Sequence, residues 1–177
     1  MTKALLLDRD GVINEDHGYV FRIEDFVFKE GIFSLCKAAS DKGYAIFIIT
    51  NQSGIARGYY TEDQLNTLHN WLIARFEEQG SCIKKIYHCP HHPTEGTQPY
   101  QQDCECRKPK PGMILQAQQE FNLDLRSSIF IGDKPSDMQA ANKAGVGTKV
   151  LIGKQAERGL EDIQIEELKH LPDSLFS

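Results

Sequence analysis

Long apolar segments are missing from this sequence. The first apolar run covers Ala4–Leu7 and ends at Asp8, whereas a signal peptide needs a longer apolar core and a membrane span needs about twenty apolar residues. Long basic stretches are missing too, and 25 acidic residues against 20 Lys and Arg give a net charge of −5. These absences predict a cytoplasmic protein that enters no membrane and binds no nucleic acid.

Internal repeats and low-complexity linkers are also absent. The 177 residues suit one domain better than two, and 40% hydrophobic with 25% charged residues is close to the globular average. We therefore predict a single folded domain over residues 1–177. Its small size gives no reason for a partner subunit, so we expect a monomer.

Short apolar runs alternate with helical patterns along the chain. The runs predict strands over residues 4–7, 45–49, 83–87, 129–131 and 150–152. Helical apolar spacing predicts helices from residue 32 to near 43, from 61 to before 80, from 111 to 121 and from 136 to 144. Thr61 and Gln64 have the spacing of a capping box. This order predicts an α/β fold with a Rossmann-like, doubly wound parallel sheet.

The segment 155–177 follows the last predicted strand. Its periodicity is weak and is limited to residues 163–171. We expect one further helix there, packed on the core.

Polar side chains follow three of the predicted strands. Asp8 and Asp10 come directly after the first, Thr50 ends the second, and Asp133 follows the fourth. Ligands of such sheets bind at the carboxyl ends of the strands, and neighbouring carboxylates repel each other unless a cation lies between them. A lone Asp-x-Asp pair would more often cap a turn, but three such strand ends favour a site for an oxygen-ligated ion such as Mg²⁺.

Three of the five cysteines crowd into one segment beside histidines. Cys89 and His91, then Cys104 and Cys106, form two pairs with one residue inside each pair. They predict a tetrahedral Zn²⁺ site, which four protein ligands would close, so that the metal is structural. His92 competes with His91 as the fourth ligand. A disulfide is the alternative, which a cytoplasmic setting disfavours.

We call residues 88–107 the zinc loop. A loop of this length without periodicity is uncommon in a compact domain unless something holds it. The remaining two cysteines, Cys36 and Cys82, are expected to be buried or half-buried thiols without a role.

The strand-end residues occur in the order of a known motif set. Asp8-x-Asp10-Gly11, Thr50-Asn51, Lys108-Pro109 and Gly132-Asp133 with Asp137 resemble the four motifs of the haloacid dehalogenase-like (HAD) phosphohydrolases. Within that family, the fragments DRDGVIN, TNQSGIARG, CPHHP, CECRKPKPGM and GDKPSD are similar to heptose 1,7-bisphosphate phosphatases. The resemblance implies the HAD fold and the activity of a phosphoric monoester hydrolase.

The resemblance also implies roles for the motif residues. Asp8 would be the nucleophile, and Asp10 the general acid and base. Thr50 would hydrogen-bond a phosphoryl oxygen, and Lys108 would place its charge beside it. Mg²⁺ would be held by Asp8, Asp133 and the backbone carbonyl of Asp10. Asp137 would orient Lys108 or the surroundings of the metal.

Substrate contacts are implied for three loops. The sequence has no room for a cap domain in residues 11–49 or 51–107, so the loops alone would border the site. The residues implied to bind the sugar phosphate are Asp16, His17, Gly18, Tyr19, Asn51, Gln52, Ser53, Arg107 and Lys134. Arg57 is a further candidate for a second phosphate. The resemblance also favours His91 over His92 as the zinc ligand.

The implied reaction removes the 7-phosphate of D-glycero-D-manno-heptose 1,7-bisphosphate through an aspartyl phosphate. That product would be a precursor of ADP-heptose for the lipopolysaccharide core, or of a related nucleotide-heptose. Histidinol-phosphate phosphatases share the same motifs and zinc loop, so that substrate stays open. Two non-enzymatic alternatives are a catalytically inactive module that binds through its zinc loop and a sheet in which Asp8 is a signalling phospho-acceptor.

Overall fold

One six-stranded parallel sheet runs through the molecule in the order β3-β2-β1-β4-β5-β6. The computed structural model describes residues 1–154 and 159–177. The strands are Ala4–Leu7 (β1), Ala45–Asn51 (β2), Ile83–Cys89 (β3), Ile129–Gly132 (β4), Thr148–Ile152 (β5) and Ile163–Ile165 (β6). The α-helices are Ile32–Asp41 (α1), Glu62–Glu78 (α2), Gly112–Phe121 (α3) and Pro135–Ala144 (α4). Short 3₁₀ turns cover Ile23–Asp25, Leu125–Ser127, Leu168–His170 and Asp173–Leu175.

Alternating side chains of the central strands build two cores, one on each face of the sheet. Leu5 and Leu7 of β1 pack with the apolar stripes of α1 and α2. Ala4 and Leu6 point the other way, into a cluster formed with α3 and α4. All four residues are fully buried, as expected of a parallel strand covered on both faces. The predicted doubly wound sheet is confirmed.

The helix ends follow the local chemistry of the sequence. The Thr61 side chain accepts a hydrogen bond from the Gln64 N–H, and the Gln64 side chain accepts one from the Thr61 N–H. This reciprocal pair confirms the predicted capping box at the start of α2. Gly145 caps the C-terminus of α4 with φ 84°, a left-handed conformation that glycine adopts without strain.

Four strands, β2 to β5, are longer than the apolar runs predict, and two of them, β2 and β3, extend side by side. The β2–β3 ladder continues through the pairs Thr50 with His88 and Asn51 with Cys89. Polar residues can extend a strand in this way because the backbone, and not the side chain, makes the ladder bonds. Thr50 and the first zinc-loop cysteine therefore sit on strands.

The prediction of one further helix in the segment 155–177 is wrong for the residues that the structure describes. Residues 163–165 form β6, which pairs in parallel with β5. Ile163 and Ile165 are half-buried and Gln164 between them is exposed, which is the period-two pattern of a strand. Two 3₁₀ turns follow, and they bring Leu168 and Phe176 into the core. Residues 155–158 lie outside the described residues.

The strand order reverses at β1, because β2 and β4 lie on its two sides and lead the chain in opposite directions. In open α/β sheets the crevice for a ligand forms at such a reversal, beyond the carboxyl ends of the strands. Asp8 follows β1 and Asp133 follows β4, so the fold brings the first and last of the acidic motifs to this crevice. Among the described residues, no helix is long and apolar enough to cross a membrane.

The capping box gives a test of local stability. We expect Thr61→Ala to lower the free energy of unfolding by about 1 kcal/mol, because the Gln64 N–H loses its acceptor. Thr67→Ala is the matched control, since Thr67 is an exposed residue inside the same helix and alanine favours helix interiors. Urea unfolding followed by circular dichroism measures both. Equal losses in the two variants would contradict the capping role.

Candidate active site

Three carboxylates meet at the crevice between β1 and β4. One oxygen from each of Asp8, Asp133 and Asp137 lies within 4.8 Å of the others. Burial, followed by the charge of Asp137, raises the pKa of Asp8 well above its ordinary value, although Lys108 opposes this effect. Such crowding of acids away from water is costly without a compensating cation.

Lys108 supplies part of that compensation. Its Nζ lies 2.9 Å from Asp8 Oδ1 and 2.6 Å from Asp137 Oδ1, and it donates to the carbonyl of Ile49 at 2.8 Å. These partners engage all three donors of the ammonium group. Burial alone would lower the pKa of Lys108, but the two carboxylates outweigh it and raise the pKa. The other Asp137 oxygen accepts the backbone N–H groups of Asp133 and Lys134, so Asp137 orients Lys108.

The acidic cluster fits a divalent cation. Asp133 Oδ1 is buried and has no hydrogen-bond partner among the described residues, which leaves a carboxylate oxygen free for a metal. Gly11 brings the turn after β1 against this carboxylate, since a Cβ there would lie 2.0 Å from Asp133 Oδ2. Lys108 brings one positive charge to three carboxylates, and the remaining hard carboxylate oxygens match the preference of Mg²⁺.

Asp10 faces a different set of partners. Its Oδ1 accepts from Arg9 Nη2 at 2.7 Å and from Asn14 Nδ2 at 3.0 Å. Its Oδ2 accepts from Gln52 Nε2 at 3.0 Å. The Asp10 side chain is thus directed toward these donors, and any contribution it makes to the metal site would come from its backbone carbonyl.

Three consecutive residues at the end of β2 have side chains bonded within the protein. Thr50 Oγ1 is buried and accepts from Gln52 Nε2 at 2.9 Å. Asn51 bonds the backbone of Lys108 twice, by Nδ2 to the carbonyl and by Oδ1 from the N–H. The side-chain amides of Asn51 and Gln52, both predicted to bind substrate, are therefore engaged by Lys108, Thr50 and Asp10.

The other predicted substrate residues lie in the loops that follow β1, β2 and β4. We call these loops the rim of the site. Asp16 accepts the Gly18 N–H at 3.0 Å and lies 3.8 Å from Lys134 Nζ, so the loop after β1 meets the start of α4. Tyr19 is 45% exposed, with its ring edge-on to Tyr59 at 4.8 Å between centroids. His17 is exposed and Ser53 is half-buried.

Two arginines are further candidates for substrate contact, and the Cζ atom of Arg57 lies over the Tyr19 ring, 6.0 Å from its centroid. Burial, then the charges of Arg107 and Arg57, lower the pKa of His92. Arg107 Nη1 donates to the His91 carbonyl at 3.4 Å. Arg57 lies 3.8 Å from Glu95, which partly neutralises it.

The zinc-loop ligands converge on one point. The Cys106 sulfur lies 3.4 Å from both Cys104 Sγ and His91 Nδ1, and Cys89 Sγ lies 3.5 Å from Cys104 Sγ. All four candidate ligand atoms lie within 4.8 Å of one another. Zn–S distances of about 2.3 Å give a tetrahedron with edges of about 3.8 Å, which these three separations approach, whereas Cys89 Sγ and Cys106 Sγ are closer, at 2.7 Å. His92 lies outside this cluster of four, and its Nδ1 accepts the N–H groups of Thr94 and Glu95.

The thiols of this cluster are free. The hydrogen bond between Cys89 and Cys106 is the largest effect that lowers the pKa of Cys106, to about 5, and it also raises the pKa of Cys89, so this pair shares a proton that zinc would displace. Cys36 is buried as expected, and burial raises its pKa to about 12. Cys82 is exposed, contrary to expectation, because it lies in the turn before β3.

Sequence reasoning missed the residues that surround Asp10. Arg9 is fully buried, with its Nη1 3.1 Å from His69 Nε2. Tyr60 donates its hydroxyl hydrogen to Gln52 Oε1. For Arg9, the available signal in the sequence is its position between two motif aspartates. The hydrogen bond between Tyr60 and Gln52 joins side chains of a loop without periodicity, and no feature of the sequence indicates it.

Comparisons with known proteins give the family of this chain. A HAD-hydrolase-like family model matches residues 105–175. D-glycero-alpha-D-manno-heptose-1,7-bisphosphate 7-phosphatase of Campylobacter jejuni is 51% identical over 170 residues, which cover 96% of this chain and 94% of that protein. The beta-anomer phosphatase of Vibrio cholerae is 45% identical over 98% of this chain and 96% of its own length.

Two solved structures share the fold at recognisable sequence identity. A HAD-like phosphatase from Mesorhizobium loti has a TM-score of 0.85 and 32% identity, over 95% of this chain and 81% of that one. D,D-heptose 1,7-bisphosphate phosphatase from B. bronchiseptica, complexed with magnesium and phosphate, has a TM-score of 0.81 and 30% identity over 94% of both chains. With its curated relatives matched over nearly their full length, this chain belongs to the heptose-1,7-bisphosphate 7-phosphatase family of HAD-like hydrolases.

Proposed function

We propose that this chain is a Mg²⁺-dependent phosphatase that removes the 7-phosphate of D-glycero-D-manno-heptose 1,7-bisphosphate. The observation that carries the proposal is the meeting of Asp8, Lys108 and Asp133 at the strand-order reversal. The relatives of known name support the substrate, and the magnesium and phosphate of the B. bronchiseptica enzyme support the cofactor and the kind of ligand. The product would feed the synthesis of a nucleotide-activated heptose, such as ADP-heptose for lipopolysaccharide.

The chemistry divides into two displacements at phosphorus. A carboxylate oxygen of Asp8 attacks the phosphoryl group, and the bond to the sugar oxygen breaks as Asp10 gives that oxygen its proton. Water then attacks the aspartyl phosphate, Asp10 takes the proton of the water, and Asp8 leaves as a carboxylate. Splitting the hydrolysis in this way replaces one difficult step with two easier ones.

The remaining site residues stabilise charge. Lys108 lies 2.9 Å from Asp8 and so fixes the position of the nucleophile. When a substrate is bound, the same ammonium group would stabilise the negative charge on its phosphoryl oxygens. Thr50 offers a hydroxyl at the end of β2. Asp8, Asp133 and the Asp10 carbonyl would hold Mg²⁺, which when bound neutralises charge on the phosphoryl oxygens.

Specificity would come from the loops around this site. The residues that would contact the sugar phosphate are Asp16, His17, Gly18 and Tyr19 in the loop after β1, Lys134 before α4, Ser53 after β2 and Arg107 after the last zinc-loop cysteine. Asn51 and Gln52 would contribute from beneath, by holding Lys108 and Asp10. No cap domain interrupts the described residues, so we infer one domain over 1–177, which acts as a cytoplasmic monomer on a small sugar phosphate.

Zinc would have a structural role. Cys89, His91, Cys104 and Cys106 would close its coordination sphere, with no position open for substrate. Arg107 and Lys108 follow Cys106 directly in the chain, so fixing the loop fixes where these two cations lie.

Removal of the nucleophile tests the chemistry. We expect Asp8→Asn to lower phosphate release by about a thousandfold or more, because an amide cannot form the aspartyl phosphate. Asp41→Asn is the control, as Asp41 is an exposed aspartate at the end of α1 whose partner is Lys37. Malachite-green detection of phosphate measures activity, and circular dichroism checks the fold. Unchanged release by Asp8→Asn would refute the assignment.

Substrate identity needs a direct comparison. With Mg²⁺ present, we expect kcat/KM to be higher for heptose 1,7-bisphosphate than for fructose 1,6-bisphosphate or histidinol phosphate, with the 1-phosphate of the heptose retained in the product. Phosphorus NMR identifies which phosphate leaves. A preference for histidinol phosphate would overturn the substrate and keep the chemistry, whereas no release from any of the three would favour the inactive binding module.

Zinc removal tests the loop. We expect Cys104→Ser to lose its zinc, measured by atomic emission per chain, and to lower kcat while circular dichroism shows the sheet intact. The matched control is Cys82→Ser, because that cysteine is exposed and lies apart from the ligand cluster. A zinc-free Cys104→Ser protein with full activity would contradict the role of the loop.

A further inference from the structure

The carboxylate of Asp10 is held on both of its oxygens. Oδ1 accepts two hydrogen bonds, from Arg9 and Asn14, and Oδ2 accepts one, from Gln52. A carboxylate has about four lone-pair positions. The position left over is on Oδ2, so this oxygen is the one that can carry a proton to or from a reacting atom.

Gln52 can hold Oδ2 only in one orientation of its amide. Its Nε2 faces both Asp10 Oδ2 at 3.0 Å and Thr50 Oγ1 at 2.9 Å. If the amide were flipped, its oxygen would face the Asp10 carboxylate and repel it. The orientation of one side chain therefore decides whether Asp10 is held or displaced.

Tyr60 fixes that orientation. Its hydroxyl donates to Gln52 Oε1, and because a hydroxyl hydrogen needs an acceptor, the amide oxygen is kept on this side. Burial is the main effect that raises the pKa of Tyr60 above its ordinary value, so the hydroxyl keeps its hydrogen.

The ring of Tyr60 is itself fixed by packing. It stacks on Phe21 with centroids 4.9 Å apart, and it fills the space beside Gly54, where a Cβ would lie 2.1 Å from a ring carbon. A glycine is required at this position for the close approach. The packed ring, its hydroxyl and the Gln52 amide thus form a continuous series of contacts that ends at the Asp10 carboxylate.

Arg9 holds the other oxygen with comparable support. It is fully buried and also donates to the Val20 carbonyl. Its neighbour His69 is kept neutral because burial, then Arg9 and His88, lower its pKa. Neutral His69 offers Nε2 as an acceptor to Arg9 Nη1. With Oδ1 fixed in this way, the orientation of the Gln52 amide is what remains to be set.

We infer that Tyr60 is a positioning residue for proton transfer, acting through Gln52 to present Oδ2 of Asp10 to the leaving group. This inference rests on the proposed phosphatase function. In the first step the Oδ2 proton passes to the sugar oxygen as its bond to phosphorus breaks and the bond from Asp8 forms. In the second step, a proton of the attacking water returns to Oδ2 as the bond from Asp8 to phosphorus breaks.

The leaving group distinguishes this role from a general loss of structure. A sugar alkoxide needs a proton to depart, whereas p-nitrophenolate does not. In single turnovers we expect Tyr60→Phe to cleave heptose 1,7-bisphosphate about tenfold more slowly than the unaltered protein, the loss expected when one buried hydrogen bond is removed. Release of p-nitrophenolate from p-nitrophenyl phosphate should stay within about twofold in the same measurement.

A double-mutant cycle tests the path through Gln52. Gln52→Met removes the amide itself and should show the same dependence on the leaving group. Adding Tyr60→Phe to Gln52→Met should cause no further loss, since Tyr60 then has nothing to orient. Tyr87→Phe is the matched control, because its hydroxyl bonds Glu120 of α3 at 2.6 Å, and its rates should not change.

Several outcomes would overturn the inference. If Tyr60→Phe slows the cleavage of both substrates equally, Tyr60 has a structural role only. If it slows neither, Tyr60 has no role in proton transfer. Additive losses in the cycle would mean that Tyr60 does not act through Gln52. If the unaltered protein cleaves neither substrate, the proposed function itself fails, so the two failures are distinguishable. Should Gln52→Met not fold, the leaving-group comparison for Tyr60→Phe still decides.

Discussion

A buried ammonium group shared by two carboxylates is the interaction on which the site depends. Lys108 Nζ contacts Asp8 after β1 and Asp137 on α4, and it donates to the Ile49 carbonyl on β2. β1 and β2 end at this crevice and α4 begins there, where the strand order reverses. Removing the Lys108 charge would leave both carboxylates buried without it, and the loss of one partner of a buried ion pair typically costs about 3–5 kcal/mol. The ion group thus links these elements, and the Lys108 charge opposes the effect of burial, which raises the pKa of Asp8.

Placing that ammonium group requires control of a long loop. Lys108 follows the zinc loop, and its backbone is held by two hydrogen bonds from Asn51. The same strand pair that carries Asn51 also carries Cys89 opposite it. The metal-ligand cluster and the ammonium group are therefore anchored to neighbouring positions of the sheet. A metal bound in the zinc loop would further stabilise the position of Lys108, which the hydrogen bonds with Asn51 of β2 already hold.

The sequence predicts the parts of this protein that depend on local chemistry. Apolar runs locate five of the six strands, the spacing of Thr61 and Gln64 locates a helix start, and ordered strand-end residues locate the crevice. What it does not predict depends on contacts between distant elements. The strand β6 is three residues long and is stabilised by β5, and its pattern is too short to be distinguished from a weak helix. The side chains around Asp10 come from four separate segments, and Gln52 has no local feature that shows which way its amide faces.

The position of β6 has a consequence for the order in which the sheet is completed. It is the outermost strand beside β5 and the last one along the chain. Until residues 163–165 have left the ribosome, β5 presents an open row of backbone donors and acceptors, and an open edge can pair with another nascent chain. Phe176, which packs on Tyr44, arrives later still. Pairing with β6 replaces the five-residue edge of β5 with one of three residues, which leaves fewer unpaired backbone groups for association with another chain.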